Sequence, residues 1–197
     1  MIYLPTELFF QVYSLPLIAQ VRPQSDYFIE YPQQIRVGTD TAFAYKRQSG
    51  YYAAHYNQAS MMPSNAILVL NAEGGAIANG EGQPIAIFAG EPPAIPHAAH
   101  TDSLIPVYTL QNNGTLAVPT GMLFIRFAED VDITSQTAAI NHAGYEIAQT
   151  LAYAPQAGWL RAKTGKIADA LTGISQLLAI PNVENVEPQM LMEKRSR

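Results

Sequence analysis

The last third of the chain constrains the fold most, because its apolar runs and turn signals come in one order: strand, helix, strand, strand, helix, strand. Met122-Leu123-Phe124-Ile125-Arg126-Phe127-Ala128 reads as the first strand, followed by a helix from about Asp132 to Gly144. Asp132 offers an oxygen to the first free amides, Ile133, Ile140 and Ala143 face inward, and Gly144 suits the left-handed residue that ends a helix. Tyr145 to Thr150 gives the second strand, Tyr153-Ala154-Pro155-Gln156 a turn, and Gly158-Trp159-Leu160-Arg161-Ala162 the third strand. The second helix, expected from Thr164 to Ile180, is the clearest element. After Ile167, the residues Ala170, Leu171, Ile174, Leu177 and Leu178 follow at three, four, seven, ten and eleven positions, one apolar stripe, with Thr164 placed to cap and Pro181 to stop it. Val183-Glu184-Asn185-Val186-Glu187 closes the set as a fourth strand, and Glu187-Pro188-Gln189-Met190-Leu191-Met192 reads as a bare extended tail. The fold class that follows is α+β: a ferredoxin-like βαββαβ two-layer sandwich with two helices on one face of a four-stranded antiparallel sheet.

Upstream the pattern changes to short β-like runs. Tyr27-Phe28-Ile29-Glu30-Tyr31, Ile35-Arg36-Val37, Ala66-Ile67-Leu68-Val69-Leu70 and Pro84-Ile85-Ala86-Ile87-Phe88-Ala89 are separated by Gly38, Gly50, Pro63 and the Gly74-Gly75 turn. Three prolines in Glu91-Pro92-Pro93-Ala94-Ile95-Pro96 fix φ and remove ladder donors, which makes this stretch the expected linker. Val107 to Leu110 and Thr115 to Val118 form a hairpin around Gln111-Asn112-Asn113-Gly114, with Gly114 supplying a positive φ. The expected organisation is a β-rich region over 1–105, a hairpin connector over 106–120 and the βαββαβ unit with its tail over 121–197.

The first strand of that unit is apolar on both sides. Leu123, Ile125 and Phe127 make one face, but Met122 and Phe124 make the other apolar too, and Trp159 beside Leu160 repeats the ambiguity in the third strand. Such a face is either packed within the chain or offered to a partner.

Composition narrows the function classes. In 197 residues, 48% of them hydrophobic, there is enough apolar material for a folded core. A net charge of -5 with only 11 lysines and arginines argues against nucleic-acid binding and against a polybasic membrane anchor, both of which need clustered cations. Without cysteine there are no disulfides, no thiolate chemistry and no Cys-ligated metal, and the compartment stays undetermined. Met1 to Val21 is apolar but lacks a basic start, and Pro5, Glu7, Gln11 and Pro16 interrupt it, so it reads as a strand or arm rather than a signal peptide or a span of about 20 apolar residues.

The chemistry-bearing residues do not assemble into a catalytic motif. No Gly-x-Ser-x-Gly elbow accompanies the four histidines, His55, His97, His100 and His142. His97, His100 and Asp102 have ligand types at short spacing, but they sit in a Pro- and Ala-rich connector rather than on a helix face. His142 suits the C-terminal end of the first helix. Gly38-Thr39-Asp40-Thr41 reads as a turn, and the glycines from Gly74 to Gly82 lack the Lys-Ser or Lys-Thr step of a phosphate loop. The tyrosines around Tyr45, Tyr51, Tyr52 and Tyr56 read as packing of a β-rich domain. No enzyme activity, metal or cofactor is expected.

Taken together, Leu123 to Ala128, Ala143-Gly144-Tyr145, Tyr153-Ala154-Pro155 and the run from Leu177 through Pro188 resemble the propeptide domain of subtilisin-like serine proteases. The closing segment is the most specific part: Pro181, Val183, Glu184, Glu187 and Pro188 match that family's step into its last strand. The resemblance covers residues 120–192. It implies a non-catalytic inhibitor or folding chaperone whose sheet docks on a subtilisin-like protease domain, in cis or in trans, and whose tail enters the substrate cleft by strand addition. On this reading the partner-binding residues are Phe124, Trp159, Glu184, Glu187, Pro188, Gln189, Met190, Leu191 and Met192. The alternatives are a structural module that self-associates into a homo-oligomer, and the N-terminal fragment of a larger protease precursor. The chain departs from the protease itself, having no Asp-Thr-Gly, His-Gly-Thr-His or Gly-Thr-Ser-Met block before it stops at Arg197.

Overall fold

A computed structural model describes residues 27–37, 44–56, 64–71, 84–92 and 104–193. The N-terminal arm, Gly38-Thr39-Asp40-Thr41, the Gly74-Gly75 turn, Pro93 to Pro96, and His97, His100 and Asp102 lie outside them. The fold is sheet-dominated α+β. Its strands are β1 (Gln34–Arg36), β2 (Ala44–His55), β3 (Leu68–Asn71), β4 (Pro84–Ala89), β5 (Leu104–Leu110), β6 (Leu116–Phe127), β7 (Tyr145–Leu151), β8 (Ala154–Ala162) and β9 (Val183–Met192). Between β6 and β7 lie a 3-10 turn, Ile133–Gln136, and helix α1, Thr137–His142; between β8 and β9 lie α2, Ile167–Thr172, and α3, Ile174–Leu178.

Among the described residues the nine strands belong to one sheet in which every pairing is antiparallel. Its path runs β3-β4-β2-β5-β6-β8-β7, with β1 added to β2 and β9 to β6. β6 is the spine. Its start pairs with β5 at Ala117↔Tyr108, its second half pairs with β8 from Met122↔Arg161 to Arg126↔Ala157, and β9 follows its other edge from Phe127↔Val183 to Ala117↔Met192. The expected hairpin is present, turning through Gly114 at φ 69°. The sheet is continuous through residues 105 and 120, where the sequence suggested breaks.

Alternation along the strands separates two sides. One side carries Tyr45, Tyr108, Leu123, Ile125, Phe127, Leu160 and Val186, packed with Ile133 and Ile140 before β7 and with Leu171, Ile174 and Leu177 from α2 and α3. On the other side of β5 and β6, Val107 and Val118 join Ala53, Ile85, Ile87 and Ile105 in a cluster built from strands. A third group, Ala54, Tyr56, Ala86 and Phe88, backs the β2–β4 pair, with Tyr52 and Phe88 rings stacked at 5.1 Å.

The expected long second helix is two short ones. Tyr145 explains the break: its buried hydroxyl donates to the carbonyls of Ala170 (2.9 Å) and Asp169 (3.2 Å), and it lies where a side chain at residue 173 would project. Only glycine fits there, and the helix is interrupted at the point where the phenol enters. The cap is also corrected. Lys166, not Thr164, occupies the N-cap of α2, and Thr164 Oγ1 accepts from the Lys166 amide at 3.3 Å just before it. In the first helical segment Asp132 caps as expected, accepting from the Thr134 amide at 2.7 Å, although the turn it starts is 3-10 before becoming α. Tyr27 to Tyr31, expected as a strand, is a turn whose carbonyls at Phe28 and Tyr31 accept from the Arg47 guanidinium.

Candidate functional site

The side of the C-terminal strands turned away from α2 and α3 is the candidate surface. Phe124 and Trp159 are directly opposite each other on β6 and β8, and their rings meet edge to face at 5.5 Å and 65°. The same row continues to Gln149 on β7 and to Glu187 on β9. Residues facing one another across a ladder share a side of the sheet, so Gln149, Trp159, Phe124 and Glu187 form one transverse line. Both aromatic residues are only half-buried, while their neighbours Leu123, Ile125 and Leu160 are fully enclosed on the helix side. Of the apolar residues that broke strict alternation in the sequence, Phe124 and Trp159 lie beneath no helix among the described residues, whereas Met122 is buried.

Charged and polar groups flank the pair. Arg126 meets Glu184 at 3.2 Å, with both side chains about half exposed, so the pair contributes at most about 1 kcal/mol. Arg161 meets Glu146 at 2.5 Å at the other end of the face. Glu187 accepts from Asn185 Nδ2 at 2.7 Å. Asn185 Oδ1 is buried and accepts no hydrogen bond from the described residues. An acceptor in that state costs about 1–3 kcal/mol until a donor reaches it.

The remaining expected partner-binding residues are not on a free tail. β9 runs without interruption to Met192, pairing Pro119↔Met190, Val118↔Leu191 and Ala117↔Met192. Pro188 is buried opposite Leu123 on the helix side, and Gln189 Oε1 accepts from Thr120 Oγ1 at 2.7 Å. Met190 packs against the helix-covered core and Leu191 against the strand-built one. The Met192 sulfur is 4.0 Å from the Tyr45 hydroxyl. That hydroxyl has its pKa raised by burial and, secondarily, by the charge of Glu187. The expectation of a bare tail from Glu187 to Met192 is corrected: those residues complete the sheet, because β6 extends back to Leu116 and supplies a partner edge. A proline at position 119 and a glycine at 121 hid that extension in the sequence.

A cavity of about 360 Å³ lies at the end of this face, between the Thr120–Met122 bend of β6 and the loop from Lys163 to Lys166. Sequence reasoning missed it, since its residues come from three separate segments with no common motif. Among the described residues no three His, Asp or Glu side chains gather as a metal site, and no helix is long and apolar enough to cross a membrane. His142 sits in the last turn of α1, as expected.

No family model, no curated protein and no solved structure matches this chain.

Proposed function

We propose that residues 121–193 form a ferredoxin-like βαββαβ unit of the subtilase-propeptide type, non-catalytic, which docks on a subtilisin-like protease domain through its helix-free face. The ferredoxin-like reading is supported by the neighbour order β9-β6-β8-β7, antiparallel throughout, with helical segments in both crossovers. The single observation that carries the docking reading is the half-buried Phe124–Trp159 pair on the side that carries no helix among the described residues, with Glu187 in the same row and, beside it, the Asn185 acceptor that has no partner among those residues. Aromatic anchors ringed by polar groups are the usual energetic centre of an interface. A carboxylate such as Glu187 gains about 0.3–1 kcal/mol at the N-terminal end of a partner helix. Docking of the face, rather than occupation of the cleft by Glu187 to Met192, is the part of the propeptide mechanism that this geometry favours. Acting this way, the unit serves as an inhibitor or a folding template.

Titration of the chain against a panel of subtilisin-type proteases tests the reading. Micromolar or tighter association is expected, and Phe124→Ala and Trp159→Ala are each expected to weaken it by at least about tenfold. Absence of association with every panel member at micromolar concentration sinks the proposal. The same aromatic pair favours a second reading, association with another copy of the chain. Sedimentation equilibrium showing a dimer that Trp159→Ala dissolves would establish that reading instead.

A further inference from the structure

The cavity beside the docking face has a chemistry of its own. Arg161, Lys163 and Lys166 all line it, three of the seven lysine and arginine residues described, in a chain whose net charge is -5. One carboxylate, Glu146, shares the lining, and it is held by Arg161 Nε at 2.5 Å, with no hydrogen bond from the two terminal amino groups of that guanidinium among the described residues. Lys163 Nζ donates to the Asn141 carbonyl at 3.1 Å, an anchorage that leaves its charge uncompensated. Lys166 Nζ lies 3.9 Å from Glu30, and both side chains are more than 60% exposed, a pairing too loose to neutralise either group. The lining therefore holds two more cations than anions, and one more when Glu30 is counted. Met122, Ala162 and Ile167 add an apolar wall. The concavity is fixed by backbone: Gly121 bends β6 at φ 88° with Ile167 packed against it, and Gly165 turns the loop at φ 72°.

Like charges gathered at a concave surface focus potential there and raise the local concentration of counter-ions. Fixed guanidinium and ammonium donors recognise carboxylate and phosphate oxygens by charge-assisted hydrogen bonds. A volume of about 360 Å³ is at the small end of the range for organic ligands. We propose that this cavity binds a compact oxyanion free in solution, a carboxylate or phosphate group carried on a small apolar body. The oxyanion contacts Arg161, Lys163 and Lys166, and the body rests against Met122 and Ile167. The site is independent of any protease partner.

Amide proton–nitrogen NMR of the whole chain, titrated with inorganic phosphate and then with phenyl phosphate, tests it. Saturable shifts are expected at Gly165, Lys166 and Ile167, tighter for phenyl phosphate, and weakening as salt is raised. Lys163→Ala and Lys166→Ala, at exposed positions that do not support the core, are each expected to lower the affinity about tenfold. Lys46→Ala removes the same charge from an exposed position on β2 and is expected to leave it unchanged. Shifts that stay linear through tens of millimolar overturn the site, as does a Lys46→Ala variant that loses as much affinity as Lys166→Ala. Phenyl phosphate binding no tighter than inorganic phosphate overturns the role of the apolar wall.

Discussion

The two halves of this sheet are made cohesive in different ways. From β6 onward, burial comes from helical turns laid on strands: Ile133 and Ile140 before β7, then Leu171, Ile174 and Leu177 before β9. Upstream, Ala53 is matched with Ile87 on one side and Ile105 on the other, so the core is built from strands that are distant in sequence. Each half also has a buried tyrosine tied to a main-chain carbonyl: Tyr145 to Ala170, and Tyr108 to Pro32 at 2.8 Å. The comparison teaches that one continuous sheet can carry two kinds of core. A helix-backed core depends on short-range order, whereas a strand-built core depends on register being correct everywhere at once.

Core truncation is the strongest way to break that comparison. Leu160→Ala and Ile87→Ala each remove a fully buried side chain and are expected to cost about 2–5 kcal/mol in denaturant unfolding. A single shared transition in both variants would show that the shared sheet couples the halves; a second transition in Ile87→Ala alone would show that they unfold separately. Next in size is Gly158→Ala. A Cβ there meets the Gln149 carbonyl oxygen at 2.7 Å and Ile133 Cδ1 at 2.9 Å, so a loss of about 1–3 kcal/mol is expected, confined to the helix-backed half.

Tyr145→Phe removes the hydroxyl that breaks the second helix, at an expected cost of about 0.5–1.5 kcal/mol. Burial first, and the nearby Asp169 charge second, push the Tyr145 pKa up to about 12 from 10.0. The folded state thus prefers the neutral phenol. Its contribution is whole below pH 10 and is lost as pH climbs through about 12, so an alkaline stability scan should fall less steeply for Tyr145→Phe. The upstream counterpart, Tyr108, is raised for the same leading reason, burial, and Tyr108→Phe should show the same relief. The smallest effect is expected at Asp132. Its carboxyl is held below the usual value by the Thr134 hydroxyl and then by the Thr134 amide, so its capping contribution is present above about pH 4 and lost as pH falls through the lowered value. Asp132→Asn should flatten the acid limb of a thermal-stability profile without altering the alkaline one.

Legibility in the sequence followed the same division. The Asp132 cap, the Gly144 stop, the Gly114 hairpin and the β4 run from Pro84 to Ala89 are all local signals, and each appears where its chemistry required. β2 was not legible, because Lys46-Arg47-Gln48-Ser49-Gly50 interrupts its apolar alternation and its register with β5 shifts between Arg47 and Tyr52. The apolar stripe after Ile167 faces inward at Ala170, Leu171, Ile174 and Leu177, but Leu178, expected in the same stripe, is 38% exposed, and the break was not legible either, since nothing near Gly173 announces a phenol arriving from residue 145. The candidate face was half legible: Phe124 and Trp159 were singled out by broken alternation, but their meeting rests on the β6–β8 register. The cationic cavity had no signal at all.

By itself the sequence determined the order of elements in the last third, the caps and turns that separate them, the apolar positions that must be buried, and the lack of cysteine chemistry. These are set by φ preferences, hydrogen-bonding side chains and periodicity acting over a few residues. Only the tertiary structure decided that β6 reaches back to Leu116 and takes in Gln189 to Met192 as an edge, and that Tyr145 divides a helix. It also decided that three cationic residues line one cavity at the end of the face that carries the aromatic pair. Each of those outcomes depends on which distant backbone supplies a hydrogen-bonding edge or a gap, and such choices are settled by the global packing of the sheet rather than by any local run of residues.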